Sequence, residues 1–220
     1  MARVAIIGGH GKIALQLAQI LTARGDTVTS IVRNPDHTGD VAATGATPVI
    51  ANVEALVTSQ IADVLDGHDA VVWSAGAGGG NPARTYSVDR DAAIRSMDAA
   101  ARVGVHRYVM VSYLGARPDH GVHPDNSFYP YAEAKAAADQ YLRETTLQWT
   151  ILGPATLTSD AGTGTISVVG PEVTSGRVSR ASVAQVAAEV LERPATIGMF
   201  IRFVDGPTPI DQALDTLSEI

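Results

Sequence analysis

Two groups of residues in this 220-residue sequence combine types and spacings that can do chemistry. The first is Gly8-Gly9-His10-Gly11-Lys12-Ile13-Ala14, directly after the apolar run Val4-Ala5-Ile6-Ile7. Gly9-x-Gly11-x-x-Ala14, and the overlapping Gly8-x-x-Gly11-x-x-Ala14, suit a turn that cradles a pyrophosphate. One glycine permits the tight turn, the next lets backbone N–H groups approach the phosphates, and the small third residue lets helix and strand pack closely. The phosphates then meet the unpaired N–H donors and positive dipole end of a helix. A ligand-free glycine turn can have the same spelling, so the motif carries weight only between a strand and a helix.

The second group is Ser112, at the end of the apolar run VMVS, with Tyr131 and Lys135 in YAEAK. Four residues apart on a helix, a phenol and an ammonium share one face. A lysine beside a tyrosine favours the phenolate and is expected to lower the phenol's pKa, making it a usable proton donor or acceptor. Ser112 can hydrogen-bond a reacting carbonyl oxygen. A packing tyrosine and a solvated lysine at the same spacing are the alternative.

The surrounding pattern supplies the elements that must position these groups. ARVAII, TVTSIV, TPVIA, DAVVWSA, RYVMVS, QWTILG and MFIRFV read as strands. Helical patterns fill 12–24, 53–65, 89–102, 131–145 and 182–193 between them, with Gly or Pro at most boundaries. Alternating strands and helices predict an α/β fold, a single doubly wound, mostly parallel sheet flanked by helices on both faces. The whole of 1–220 is expected to be one domain, the residues after about 153 forming a small substrate-side extension. The longest irregular stretch, 117–130, is expected to shape or cover a substrate pocket. His120 and His123 within it, with Asp119 and Asp125, lack the scaffold of a metal site, and no metal is expected.

Ligands of open α/β sheets bind at the carboxyl ends of the strands. There the second strand offers Arg33 and Asn34 instead of an acidic residue, about 20 residues beyond the glycines. A guanidinium at that point can pair with a 2′-phosphate, so NADP(H) is expected in preference to NAD. Asn52 and Val53 after the third strand are placed to flank an adenine, and Ser74, Ala75 and Gly76 after the fourth to let backbone approach a ribose or nicotinamide. His10 is a further candidate phosphate contact.

Composition narrows the partners. The 16 Lys and Arg against 23 Asp and Glu give a net charge of −7, which supports neither nucleic acid nor an anionic membrane surface. No cysteine is present, so thiol chemistry and disulfides are excluded. The N-terminal apolar run is too short for a signal peptide and no run approaches a membrane span, so a cytoplasmic protein with a small-molecule substrate is expected. A monomer or homodimer is the expected state.

With these residues in view, the chain resembles a short-chain dehydrogenase/reductase of the atypical, NAD(P)H-binding type. That group is similar to extended sugar epimerases, biliverdin/flavin reductases and NmrA-like regulators. The resemblance covers nearly the whole chain, through GGHGKIA, VRNPD, DAVVWSAGAG, VHRYVMVSYLGA, YAEAK and WTILGPATLT. It implies that Ser112 polarises a carbonyl, Tyr131 donates a proton and Lys135 anchors the ribose and tunes the tyrosine. It also implies that Pro154, Ala155 and Thr156 border the nicotinamide. The sequence departs from the group at Asn52, where aspartate is common, and at Tyr113, where a second serine is frequent. Gly153 and Ala155 replace an arginine before the proline and a glycine after it, so no relative's substrate carries over. The expected activity is hydride transfer to or from a small carbonyl/alcohol, or a quinone- or flavin-like substrate. A non-catalytic NADP(H)-sensing regulator of the NmrA-like kind is the alternative. An epimerase or dehydratase using bound NAD(P) is a third, disfavoured because only about 65 residues follow the sixth strand.

Overall fold

The structure, a computed structural model, describes residues 1–219. The seven apolar runs form strands β1 (Arg3–Ile7), β2 (Thr27–Val32), β3 (Thr47–Ile50), β4 (Ala70–Trp73), β5 (Arg107–Val111), β6 (Gln148–Pro154) and β10 (Met199–Asp205). The intervening short strands are β7 (Thr156–Thr158), β8 (Thr165–Val168) and β9 (Arg177–Ser179), and β11 (Thr208–Pro209) follows. Helices are α1 (Lys12–Ala23), α2 (Thr38–Ala42), α3 (Thr58–Leu65), α4 (Pro82–Thr85), α5 (Ala93–Arg102), α6 (Tyr129–Glu144), α7 (Arg180–Leu191) and α8 (Ile210–Asp215).

The main sheet runs β3-β2-β1-β4-β5-β6-β10-β8-β11. Its seven long strands are parallel, and only β8 and β11 bring antiparallel pairing. The order reverses at β1, which pairs with β2 on one side and β4 on the other. The two sheet faces bury different halves of each strand, as the alternation of side chains requires. Val4 and Ile6 of β1 pack with Leu17 and Leu21 of α1 and Val183 and Val186 of α7. Ala5 and Ile7 face Ile61 and Leu65 of α3, Met97 of α5 and Leu142 of α6. The doubly wound parallel α/β sheet expected from the sequence is the observed fold.

Two expected helices begin elsewhere. The one expected over 53–65 starts at Thr58 and not at Val53, because Asn52–Val57 is held as a turn by the Arg95 side chain of α5. Its guanidinium donates to the carbonyls of Val53, Glu54 and Leu56, which a helix would have consumed. The one expected over 89–102 begins earlier, as α4 continues through a π-helical stretch, Tyr86–Ala92, into α5. A π-helical turn inserts extra backbone and re-aims its side chains, and here it turns Asp89 inward, 1 % exposed. Strands β7, β8 and β9 carried no alternation long enough to read. β7 and β9 pair with each other outside the main sheet.

Strand β5, which leads to Ser112, is tied down at its start by the buried Arg107. Its guanidinium donates to the carbonyls of Gln148 (2.7 Å) and Val190 (2.5 Å) and to Thr196 Oγ1 (3.3 Å), joining β5 to β6 and to the end of α7. Burial lowers its pKa to about 10. Truncation removes the charged donor that ties the Gln148 and Val190 carbonyls and Thr196 Oγ1 together. Arg107→Met is expected to lower unfolding free energy by about 2–4 kcal/mol, measured by urea denaturation. A loss below the scatter of surface substitutions would refute this anchoring role.

Candidate active site

The carboxyl ends of β1, β2, β3 and β4 surround a cleft of about 300 Å³. Gly8, His10 and Gly11 form its floor, Arg33 and His37 one end, Asn52, Val53 and Glu54 a side, and Ser74, Ala75, Gly76 and Ala77 the opposite side. The glycines are there because no side chain fits. Gly8 has φ +85°, and a Cβ on it would lie 2.6 Å from the Ala75 backbone. A Cβ on Gly9 would lie 2.6 Å from Ser30 Cβ. Gly11 precedes α1 in extended geometry without a side-chain cap, which leaves the first-turn N–H groups to a ligand.

Other expected cofactor contacts lie apart from that lining. Gly9 is buried behind the turn, and Ile13 packs into the core. Lys12 is exposed in the first turn of α1. The Asn34 side chain accepts from the Asp36 N–H at 3.1 Å and so caps the following 3₁₀ turn. Pro154 and Ala155 are buried at the β6 end, the Pro154 carbonyl accepting from Leu114 N–H, and Thr156 begins β7.

Charges that the sequence reading did not single out cross the cleft. Glu54 reaches both Arg33 (3.7 Å) and Arg84 (3.2 Å), and Arg84 also donates to the Ala77 carbonyl. His10 stacks on His37 at 3.6 Å between ring centroids, and its Nε2 lies 2.8 Å from an Asp40 carboxylate oxygen. Glu54 directly follows the expected Asn52-Val53 pair; Arg84 had no local signal at all.

Ser112, Tyr131 and Lys135 come together at the end of β5 under the start of α6. Lys135 is 1 % exposed, and its Nζ donates to the Val111 carbonyl at 2.9 Å and approaches Met110 Sδ at 3.2 Å. Burial pushes the ammonium's pKa down, against the pull of Asp139 and Asp89. Ser112 is buried and its hydroxyl donates to Asp139 Oδ2 at 2.5 Å. Tyr131, Lys135 and Asp139 are successive members of one four-residue stripe on α6.

One electrostatic expectation is overturned. Lys135 was expected to lower the Tyr131 pKa, but the phenol is pushed up, first by burial and then by the charges of Asp89 and Asp139. The ammonium donates to the Val111 carbonyl and lies in the field of the two carboxylates. Asp89 accepts from the Ala77 N–H at 3.0 Å, which joins the cleft wall to this cluster, and burial raises its own pKa against the pull of Lys135. Tyr113 packs on Tyr131 (centroids 5.5 Å) and on Phe128 (5.3 Å); burial, then the Asp139 charge, raises it to about 12.

A second cavity, about 700 Å³, lies beside Tyr131, walled by Gly79–Pro82 and Thr85 on one side and by Pro124–Phe128 and Pro130 on the other. The 117–130 loop therefore walls this cavity. His120 is not free for a metal there, because its Nε2 meets Glu133 at 2.8 Å and its Nδ1 accepts from Val122 N–H. Among the described residues no helix is long and apolar enough to cross a membrane.

The cradle is the most sterically intolerant part of the site. Gly8→Ala combines a left-handed backbone with a clash against β4-end backbone and is expected to cost about 2–4 kcal/mol of stability, read by chemical denaturation. A neutral effect would mean that the turn does not need this glycine.

Comparison with known proteins agrees with this geometry. A model of the NAD(P)H-binding family matches residues 8–194. A Bacillus subtilis (strain 168) protein named as the uncharacterized sugar epimerase YhfK is 33% identical over 217 residues, spanning 98% of this chain and 100% of its own. A solved Bacillus halodurans structure, provisionally described as an NAD-dependent epimerase/dehydratase, superposes with a TM-score of 0.90 at 31% identity, covering 98% of this chain and 100% of that one. The oxidoreductase ylbE from Lactococcus lactis superposes with a TM-score of 0.87 at 25% identity, covering 99% and 97%. The glycine cradle, the uncapped α1 and the strand-end cleft thus have a family: the chain belongs to the NAD(P)H-binding Rossmann proteins.

Proposed function

We propose that this protein is an NADP(H)-dependent oxidoreductase acting on a small carbonyl/alcohol or a quinone- or flavin-like substrate. The observation that carries the reading is the adjacency of two sites. The cradle ends at Ala77, whose N–H is bonded to Asp89, and Asp89 acts electrostatically on Lys135 and Tyr131. A dinucleotide fits the cradle because Gly8 and Gly11 line it without side chains and α1 leaves its donors free. When bound, it supplies the hydride chemistry. The protein's own share is to hold the substrate oxygen through Ser112 and Tyr131 beside the second cavity. Arg33 and His37 stand at the cleft end where a 2′-phosphate would lie, which supports NADP(H) over NAD.

The names of two relatives favour a second reading, an epimerase or dehydratase. Against it, Asp125 is the one charged residue among those lining the second cavity, and a nucleotide-sugar diphosphate would meet no cation there. We further read the β7/β9 pair and the segments around it as the substrate-side extension of a single-domain cytoplasmic monomer or homodimer.

Calorimetry with NADPH and NADH tests the cofactor assignment. Wild type is expected to bind NADPH more tightly, and Arg33→Ala to weaken NADPH about 10–100-fold while changing NADH little. Equal weakening of both would move 2′-phosphate recognition elsewhere. With a quinone and aromatic-aldehyde panel, Tyr131→Phe is expected to lower turnover roughly 100-fold; unchanged turnover would remove Tyr131 from the chemistry.

A further inference from the structure

The Ser112 hydroxyl has one proton, and in this structure it is committed to Asp139. While Asp139 is a carboxylate, Ser112 can only accept from a substrate hydroxyl and cannot donate to a carbonyl oxygen. Once Asp139 carries a proton, the carboxyl donates to Ser112 Oγ and frees the serine proton for the substrate. We propose that Asp139 is the positioning residue of the site, holding a proton that it delivers to the substrate oxygen through Ser112. This rests on the oxidoreductase reading above.

Three features support the assignment. Asp139 is 3 % exposed, and its second oxygen, Oδ1, is buried without a hydrogen-bond partner, so no second hydrogen bond holds the group in its ionised form. Ser112 Oγ and Asp139 Oδ2 are joined by a direct hydrogen bond, the path a proton takes between them. Tyr131 is a poor competing acid here, because burial and the charge of Asp89 raise it.

The surroundings set where Asp139 titrates. Burial raises it to about 6, opposed by Lys135 and Arg143 of α6, Ser112 after β5, and Arg202 of β10. Tyr113 and Tyr131 also face it as neutral phenols, and Asp89 of the π-helical stretch competes for Lys135. Lys135 thus favours the carboxylate left after transfer.

The proton balance closes. A bound reduced dinucleotide would supply the hydride, and its arrival at the carbonyl carbon would move the C=O π pair to oxygen. That oxygen takes the Ser112 proton, breaking the serine O–H bond and forming the alcohol O–H bond. Ser112 Oγ takes the Asp139 proton in turn, leaving Ser112 neutral and Asp139 ionised. Bulk water then reprotonates Asp139. In the reductive direction the donor must start protonated, so the rate falls as pH rises through about 6.

Infrared difference titration of the full chain without cofactor, from about pH 4 to about pH 9, tests this directly. Wild type is expected to show a protonated-carboxyl band lost with a midpoint near 6, absent in Asp139→Asn and shifted in frequency and midpoint in Ser112→Ala. Thermal melting confirms that both variants are folded; if Asp139→Asn is not, Ser112→Ala carries the test. No such band, or one that Ser112→Ala leaves unmoved, overturns the proposal. Steady-state reduction of 1,4-naphthoquinone with NADPH gives the second readout. Asp139→Asn is expected to lose the falling limb and about 10-fold or more of the rate at about pH 6. A falling limb kept unchanged in Asp139→Asn also overturns the proposal. Absence of turnover in wild type counts against the oxidoreductase reading alone, since the infrared titration still decides the Asp139–Ser112 coupling.

Discussion

Strand β1 lies between two parallel neighbours, and the winding of the chain reverses there. Because β2 and β4 leave β1 in opposite directions, the crossover helices pack on opposite faces, and their connections part above the β1 carboxyl end. No side chain closes that gap, since Gly8 and Gly9 meet Ala75 and Ser30 at distances that exclude even a methyl group. The cleft is therefore a consequence of topology, and every candidate cofactor contact on Arg33, Asn52 or Ser74 inherits its place from it. The two apolar clusters keep the sheet rigid, so the backbone at the rim is held in register for a ligand.

Beside the cleft stands a small set of buried charges that would be costly if separated. Lys135 in the interior is compensated by main-chain carbonyl, sulfur and two carboxylates, Asp89 and Asp139. Its two carboxylates come from different elements, one from the π-helical stretch and one from α6. The π-helical turn brings Asp89 to the Ala77 N–H, so the charge cluster and the cofactor cleft share a wall. Arg107 does similar work at the other end of β5, where a buried guanidinium satisfies carbonyls of β6 and α7. Strand β5 is thus fixed at both ends by cations, and Ser112 is presented from a strand with little freedom to move.

Much of this arrangement was legible in the order of residues. Period-two and unbroken apolar runs marked all seven parallel strands, because burial selects Val and Ile in the central ones; the edge strand β3 showed through TPVI although none of its residues is buried. The glycine turn was readable because steric exclusion is local: only glycine suits Gly8 at φ +85°. The same stripe that made Tyr131 and Lys135 visible also contained Asp139, four residues on, and helical spacing alone could have included it. The start of α3 was not legible, since Arg95 from a distant helix takes the Val53, Glu54 and Leu56 carbonyls. Nor were β7, β8 and β9, whose few residues are held by pairing partners far along the chain.

What the sequence determined by itself was the alternation of strand and helix, the phosphate-sized glycine turn and the residue types available for chemistry. These depend on covalent geometry, side-chain size and local periodicity, which act within a few residues. What only the tertiary structure decided was the state of the chemical groups. Spacing put Lys135 beside Tyr131, yet folding gave the ammonium to the Val111 carbonyl within the field of Asp89 and Asp139, and gave the Ser112 proton to Asp139. Charge and hydrogen-bond assignments in a buried site follow from desolvation and from which partner is nearest in space, and neither is written in the distance along the chain.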